Sequence, residues 1–274
     1  MLIRYGYRIA IETEAPLPLI LQMTARPERR LDLRQPEVFH TEPAVPYATH
    51  IDLFGNLRTR LTAPGGLFTL ESDATIADSG LPDPVFHNAR EMPIEALPDH
   101  VLSFLTPSRY CETDLLGEVA WDLFGNVEPG WARVQAICDF VHGRLVFNYG
   151  EADVFRTAFS AYNEQKGVCR DFAHLAIALC RCMNIPARYA FGCLGDIGVP
   201  KSADPMDFAA WMHVWLSDRW WTFDPRNNKP RIGRIVIGHG RDAADAALIS
   251  SFGPHVLKQF TVWTDEIDAD GNQI

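Results

Sequence analysis

The segment KGVCRDFAHLAIALC, residues 166–180, carries a cysteine, Cys169, at the start of a predicted helix. Free backbone N–H groups and the helix dipole favour an anion at that end, and Arg170 follows directly. We therefore expect the Cys169 thiol to ionise below its usual pKa of about 8.5. The same N–H groups, that of Cys169 included, could stabilise the oxyanion that forms when a thiolate attacks a carbonyl carbon. These properties are those of a cysteine nucleophile.

The alternative for any cysteine is a small buried side chain that takes no part in chemistry. Four of the other cysteines fit this interpretation: Cys138, Cys180, Cys182 and Cys193. A metal site that adds His174 to three of them is not predicted, because a C-x-C pair on a helix separates the two sulfurs by about 200°. Its position on the helix distinguishes Cys169 from these four.

The spacing of apolar residues indicates which elements must position Cys169. Apolar side chains recur at helical intervals from Phe172 to Met183, and Pro186 prevents the helix from continuing. Two amphipathic helices are predicted before it, in ETDLLGEVAWDLFGNV and PGWARVQAICDFVHGRLVF. Three strands are predicted after it, in ARYAFGCL, FAAWMHVWL and RWWTFDP.

The first part of the chain has a residue pattern typical of strands and not of helices. Residues 2–13 and 67–77 are rich in strand-forming side chains, and turn clusters such as DLFGN and TAPGGL lie between them. This pattern predicts an antiparallel β-sandwich over residues 1–80. A Pro-rich connecting segment is predicted at 81–109, and the helix-containing core at 110–274.

Charge and hydropathy exclude two classes of partner. The 274-residue chain has a net charge of −10, which argues against nucleic acid, because that binding depends on Lys and Arg. Runs of about 18 apolar residues are missing from the sequence, so no membrane span is predicted. The apolar N-terminus is interrupted by Arg8, Glu12 and Glu14, which favours strands over a signal peptide. We therefore expect a cytoplasmic protein whose six cysteines are thiols.

Two motifs together resemble one protein family. GVCRDFAHLAIALCRCMNIPARYAFGCL followed by AAWMHVWLSDRWWTFDPRNN is similar to the core of the transglutaminase-like superfamily, over roughly residues 110–265. The resemblance implies an α+β fold with a papain-like core, in which a helix-borne Cys faces a His and an Asp on strands. It also implies cysteine-dependent acyl transfer at an amide of a peptide or Gln side chain, by hydrolysis or transamidation through a thioester. Such a reaction acts on a peptide or protein substrate and requires no metal or organic cofactor.

Two of the family's three catalytic residues have a clear match in this sequence, and the third, the histidine, does not. Cys169 matches the nucleophile, and Asp224 matches the Asp that orients the imidazole. Bacterial members usually open the strand with His-Ala-Trp, and that alignment places Ala209 where the His would stand. Aligning HVW with the His-Val-Trp of animal transglutaminases nominates His213 instead. The alternative to an active enzyme is therefore a catalytically impaired fold that binds peptides or a partner.

Strand geometry turns this ambiguity into a structural question. A two-residue hairpin loop at Ser217 and Asp218 pairs Leu216 with Arg219 and places Trp211 opposite Asp224. Positions 209, 211 and 213 then share a face with Asp224. Because 209 and 213 are about 13 Å apart along the strand, one thiol cannot serve both. The position of the sulfur relative to these two residues decides whether His213 is a catalytic base.

The aromatic run after Ala209 is expected to be mostly core. Trp211 and Trp221 are the members that we predict as candidates for lining a substrate groove.

Overall fold

The computed structural model describes residues 1–202 and 204–274. Its helices are α1 (Asp99–Leu102), α2 (Thr113–Phe124), α3 (Trp131–Arg144), α4 (Ala158–Glu164) and α5 (Cys169–Cys182). Its strands are β1 (Leu2–Thr13), β2 (Leu17–Leu21), β3 (Leu33–Glu42), β4 (Tyr47–Ile51), β5 (Leu57–Ala63), β6 (Gly66–Ala77), β7 (Val146–Phe147), β8 (Lys166–Gly167), β9 (Ala187–Cys193), β10 (Ala209–Leu216), β11 (Arg219–Phe223), β12 (Ile235–Gly240), β13 (Ile249–Ser251) and β14 (Val256–Ile267). Within the described ranges, no helix is both long and apolar enough to cross a membrane.

Two four-stranded antiparallel sheets form a sandwich. One has the order β14-β1-β6-β3 and the other β13-β2-β5-β4. Alternate residues of β1 and β2, such as Ile9, Ile11 and Leu19, are buried between them with Phe68 of β6. This alternation is what a half-buried strand requires, and it confirms the predicted strands at 2–13 and 67–77.

The sandwich includes residues from both ends of the chain. β14 pairs with β1 from Ile267 back to Val256, and β13 pairs with β2. The sequence predicts that residues 110–274 as a whole form the core, whereas β13 and β14 lie in the sandwich sheets. The physical reason is that β1 and β2 each have a second edge whose N–H and C=O groups need partners, and these come from residues more than 200 positions away.

The third sheet supports α5. Its strand order is β11-β10-β9-β12, and all of its pairings are antiparallel. The hairpin between β10 and β11 has the predicted register, with Leu216 opposite Arg219 and His213 opposite Thr222. Ser217 and Asp218 both have positive φ, the backbone that a two-residue hairpin loop requires.

The two faces of β10 have different surroundings. Ala210, Met212 and Val214 belong to the core that α5 forms with the sheet, and Tyr189 of β9, the partner of Met212, contacts His174 of α5. His213 therefore lies on the opposite face, because side chains alternate along a strand. That face is turned towards the sandwich.

Candidate active site

Cys169 is the first residue of α5, as the sequence predicts. The helix start is fixed by Asp171, whose carboxylate accepts the Val168 backbone N–H at 2.9 Å. Asp171 is fully buried and lies 3.4 Å from Arg156. Gly167 allows this arrangement, because a Cβ at that position would lie 2.6 Å from the Asp171 carboxylate.

The thiol opens onto a groove of about 490 Å³. Cys169 is partly exposed, whereas four of the other five cysteines are buried and Cys182 is partly exposed. Asp207, Arg226 and Tyr149, which interact electrostatically with the thiol, line the groove together with Ala209. Residues 194, 196–202 and 204–208 supply much of the remaining wall, and the end of β14 contributes on one side.

The electrostatics of the groove do not favour a thiolate. Burial and the Asp207 carboxylate raise the pKa of the Cys169 thiol to about 11, although the Ala210 backbone N–H and Arg226 act in the opposite direction. This direction is opposite to the one expected for a thiol at a helix N-terminus. Desolvation of the sulfur and a facing carboxylate outweigh the helix dipole, which contributes only a few tenths to about 1 kcal/mol.

Arg170 does not activate the sulfur. Its guanidinium donates to the Asp153 carbonyl and to Asp171, and it lies over the Tyr110 ring. It is directed away from the groove because the next residue of a helix is rotated by about 100°. Arg226, which follows β11, is the cation that interacts with Cys169.

His213 is not brought to Cys169. The Trp211 indole N–H donates to its Nε2 at 3.1 Å, and the Arg188 guanidinium lies 3.3 Å from its Nδ1. Ala209 is the β10 residue that lines the groove beside the sulfur. The sulfur thus lies at the start of β10 and not at its middle, and none of the described residues lining this groove is a histidine.

Asp224 is not bonded to an imidazole either. Its carboxylate accepts the Asn227 backbone N–H at 2.9 Å, the Asn227 side-chain amide at 2.8 Å and the Arg234 guanidinium at 2.8 Å. Burial alone would raise the pKa of Asp224, but Arg234 and Asn227 hold it below its usual range. The carboxylate joins the end of β11 to the segment before β12.

The predicted groove tryptophans also lie elsewhere. Trp211 is fully buried beneath the Arg234 guanidinium. Trp221 stacks on Phe86 of the connecting segment, and its indole N–H donates to the Leu216 carbonyl. Both are packing residues because their large rings fill the two faces of the sheet. Asp207 and Arg226, which sequence reasoning did not single out, carry the charge next to the thiol.

Known proteins share this architecture. The core of the transglutaminase-like superfamily matches residues 118–225. A protein from Cytophaga hutchinsonii described as a candidate cysteine protease has a crystal structure that superposes with a TM-score of 0.85 at 29% identity, covering 100% of this chain and 93% of that one. An uncharacterised protein of Mycobacterium leprae is 30% identical over 234 residues, 81% of this chain and 83% of its own length. Another from Mycobacterium bovis is 28% identical over 79% of this chain and 76% of its own. With the helix-borne cysteine and the strand register described above, these matches mean that the chain belongs to the transglutaminase-like superfamily.

Proposed function

We propose that this protein binds a peptide or protein ligand in the groove at Cys169 and does not use a Cys–His–Asp triad. The proposal rests on the identity of the first residue of β10, which is Ala209 and not a histidine. Ala209 borders the groove that the thiol lines, and the only histidine of β10, His213, lies four residues further along the strand, held by Trp211 and Arg188. A thiol without an imidazole to accept its proton is a weak nucleophile near neutral pH.

The groove has properties suited to a polar ligand. Its volume of about 490 Å³ falls in the range that ligand pockets usually have. Arg226 and Lys229 line it and form no ion pair with any described carboxylate, and Asp207 forms none with any described cation. A ligand with hydrogen-bonding and charged groups, such as a peptide, could satisfy these side chains.

Acyl transfer by Cys169 is the second candidate function. Two observations favour it: the thiol lies at a helix N-terminus inside a groove, and the Ala210 backbone N–H acts to lower the pKa of the thiol. The superposed Cytophaga hutchinsonii protein, described as a candidate cysteine protease, points the same way. This reaction would need a proton acceptor other than His213.

Alkylation by iodoacetamide across pH 6–9 separates the two functions. We expect Cys169 to react slowly at pH 7, and its rate to rise about tenfold per pH unit as the thiolate fraction grows. Cys182 is the internal control, because it is also partly exposed and its pKa is also raised to about 11, mainly by burial. Fast and selective labelling of Cys169 at pH 6–7, or peptide hydrolysis or ammonia release lost in Cys169→Ala, would contradict the proposal and favour acyl transfer.

A gain-of-function variant tests the same point from the other direction. Ala209→His should supply the missing proton acceptor beside the sulfur and accelerate alkylation of Cys169 at pH 7 at least tenfold. Ser202→His is the matched control, since it adds a histidine to the groove wall outside β10. Equal acceleration by both variants, or by neither, would show that residue 209 is not the position on which thiol reactivity depends.

A further inference from the structure

His213 has a counterpart on the same face of the sheet, two strands away across β9. His239 of β12 lies with its ring centroid 4.8 Å from that of His213, at an interplanar angle of 73°. The two residues are only 7% and 6% exposed. They lie between the third sheet and the sandwich, and neither belongs to the groove wall.

The surroundings of His213 suit only a neutral ring. Its two ring nitrogens face the Trp211 indole N–H and the Arg188 guanidinium, and both of these groups are donors without acceptors. A neutral imidazole has one nitrogen that can accept such a bond, whereas an imidazolium has none. Protonation would therefore remove the bond from Trp211 and place a second positive charge beside Arg188.

His239 is anchored through its backbone and not through its ring. Its N–H donates to the Asn56 side chain at 2.9 Å, and its carbonyl accepts from the same amide at 2.8 Å. Neither ring nitrogen has a hydrogen-bond partner among the described residues. Asn56 belongs to the turn between β4 and β5, so this pair of bonds fastens β12 to the sandwich.

The charged groups around the two rings are mainly cationic. Arg188 approaches from β9, Arg26 from the segment after β2, and Arg234 from the segment before β12. The carboxylates nearby are already paired: Glu28 with Arg26, and Asp83 and Asp224 with Arg234. Burial, followed by these guanidinium groups, holds the pKa of His213 well below its usual value, and burial with Arg188 does the same for His239.

We propose that His213 and His239 form a pH-sensitive latch, which holds β12 against the turn at residues 52–56 when both rings are neutral and releases it when they are protonated. A released ring regains its usual pKa of about 6.5. Above that pH neither state binds a proton, and the latch has its full stability. As the pH falls below it, only the released state gains protons, so its population rises by up to about tenfold per pH unit for each imidazole.

Native-state hydrogen exchange at pH 7.5 and 5.5 tests the latch. After correction for intrinsic exchange, we expect the opening constant of peptides covering 235–240 and 52–58 to rise more than tenfold at the lower pH. Peptides from α5 should change much less. Equal losses in all three regions would mean global acid unfolding and would overturn the proposal, as would no change in any of them.

Substitution identifies the groups responsible. His239→Gln should fold, because the ring makes no hydrogen bond, and it should reduce the pH effect on β12 by up to tenfold. Adding His213→Gln should abolish the remainder, and His255→Gln, at an exposed site, should change nothing. If the double variant does not fold, His239→Gln alone decides. A pH response in His239→Gln that equals that of the unmodified protein would overturn the proposal.

Discussion

The start and the middle of β10 lie four residues apart and have opposite chemical surroundings. At the start, Ala209 borders an open groove that Cys169 also lines, and the Ala210 backbone N–H acts to lower the pKa of the thiol. In the middle, His213 is enclosed by Trp211 and Arg188. The thiol and the imidazole that together could form a nucleophile are thus both present, but in separate compartments. Distance along a strand, and not residue type, decides whether two such groups act together.

Asp224 belongs to the enclosed compartment. Its three hydrogen bonds to Asn227 and Arg234 use both carboxylate oxygens. In a catalytic triad this carboxylate would accept the imidazole N–H and hold the ring in the correct tautomer and orientation. Here the carboxylate neutralises a buried guanidinium, and its contribution should appear in stability.

The largest expected effect follows from removing that carboxylate. Asp224→Ala leaves Arg234 buried with one fewer counter-charge, and we expect a loss of about 3–5 kcal/mol in the free energy of unfolding. Urea denaturation measures this change. Asp122→Ala, at an exposed position of α2, is the control and should stay within about 0.5 kcal/mol. A loss below about 1 kcal/mol in Asp224→Ala would contradict this stabilising role of the carboxylate.

A smaller loss is expected where the helix bearing the thiol begins. Gly167→Ala places a Cβ 2.6 Å from the Asp171 carboxylate, so the residue that caps α5 must shift. We expect a loss of about 1–3 kcal/mol in the same measurement. Gly143→Ala is the matched control in α3, because nothing lies within 4 Å of its added Cβ. That variant should gain about 0.5–1 kcal/mol from the higher helix propensity of alanine, and equal effects in the two variants would refute the role of Gly167.

The smallest expected effect is on the reactivity of the thiol in the groove, and it leaves the fold unchanged. Asp207→Asn removes the carboxylate that raises the pKa of Cys169, so the thiolate fraction at pH 8 should increase. We expect alkylation of Cys169 about two- to tenfold faster, where tenfold corresponds to one pKa unit. Asp204→Asn, a second acidic residue of the groove wall, should change the rate less. Slower alkylation in Asp207→Asn would show that this carboxylate assists the thiol as a base.

Local patterns predicted the elements well. The apolar spacing from Phe172 to Met183 gave the helix that bears Cys169, and the strand pattern gave the β10–β11 hairpin with its register. These predictions succeeded because a helix or a hairpin is specified by residues a few positions apart. The placement of β13 and β14 was beyond reach, since an edge strand does not indicate which distant strand will pair with it.

The sequence by itself determined the family, the helix on which the cysteine lies and the absence of a histidine at position 209. Tertiary structure decided which residues share an environment: Asp207 and Arg226 with the thiol, and His213 with His239, Arg188 and the sandwich. The reason is that the pKa of a buried group depends on desolvation and on charges several ångströms away. Those neighbours come from loops and sheets that only the folded chain brings together.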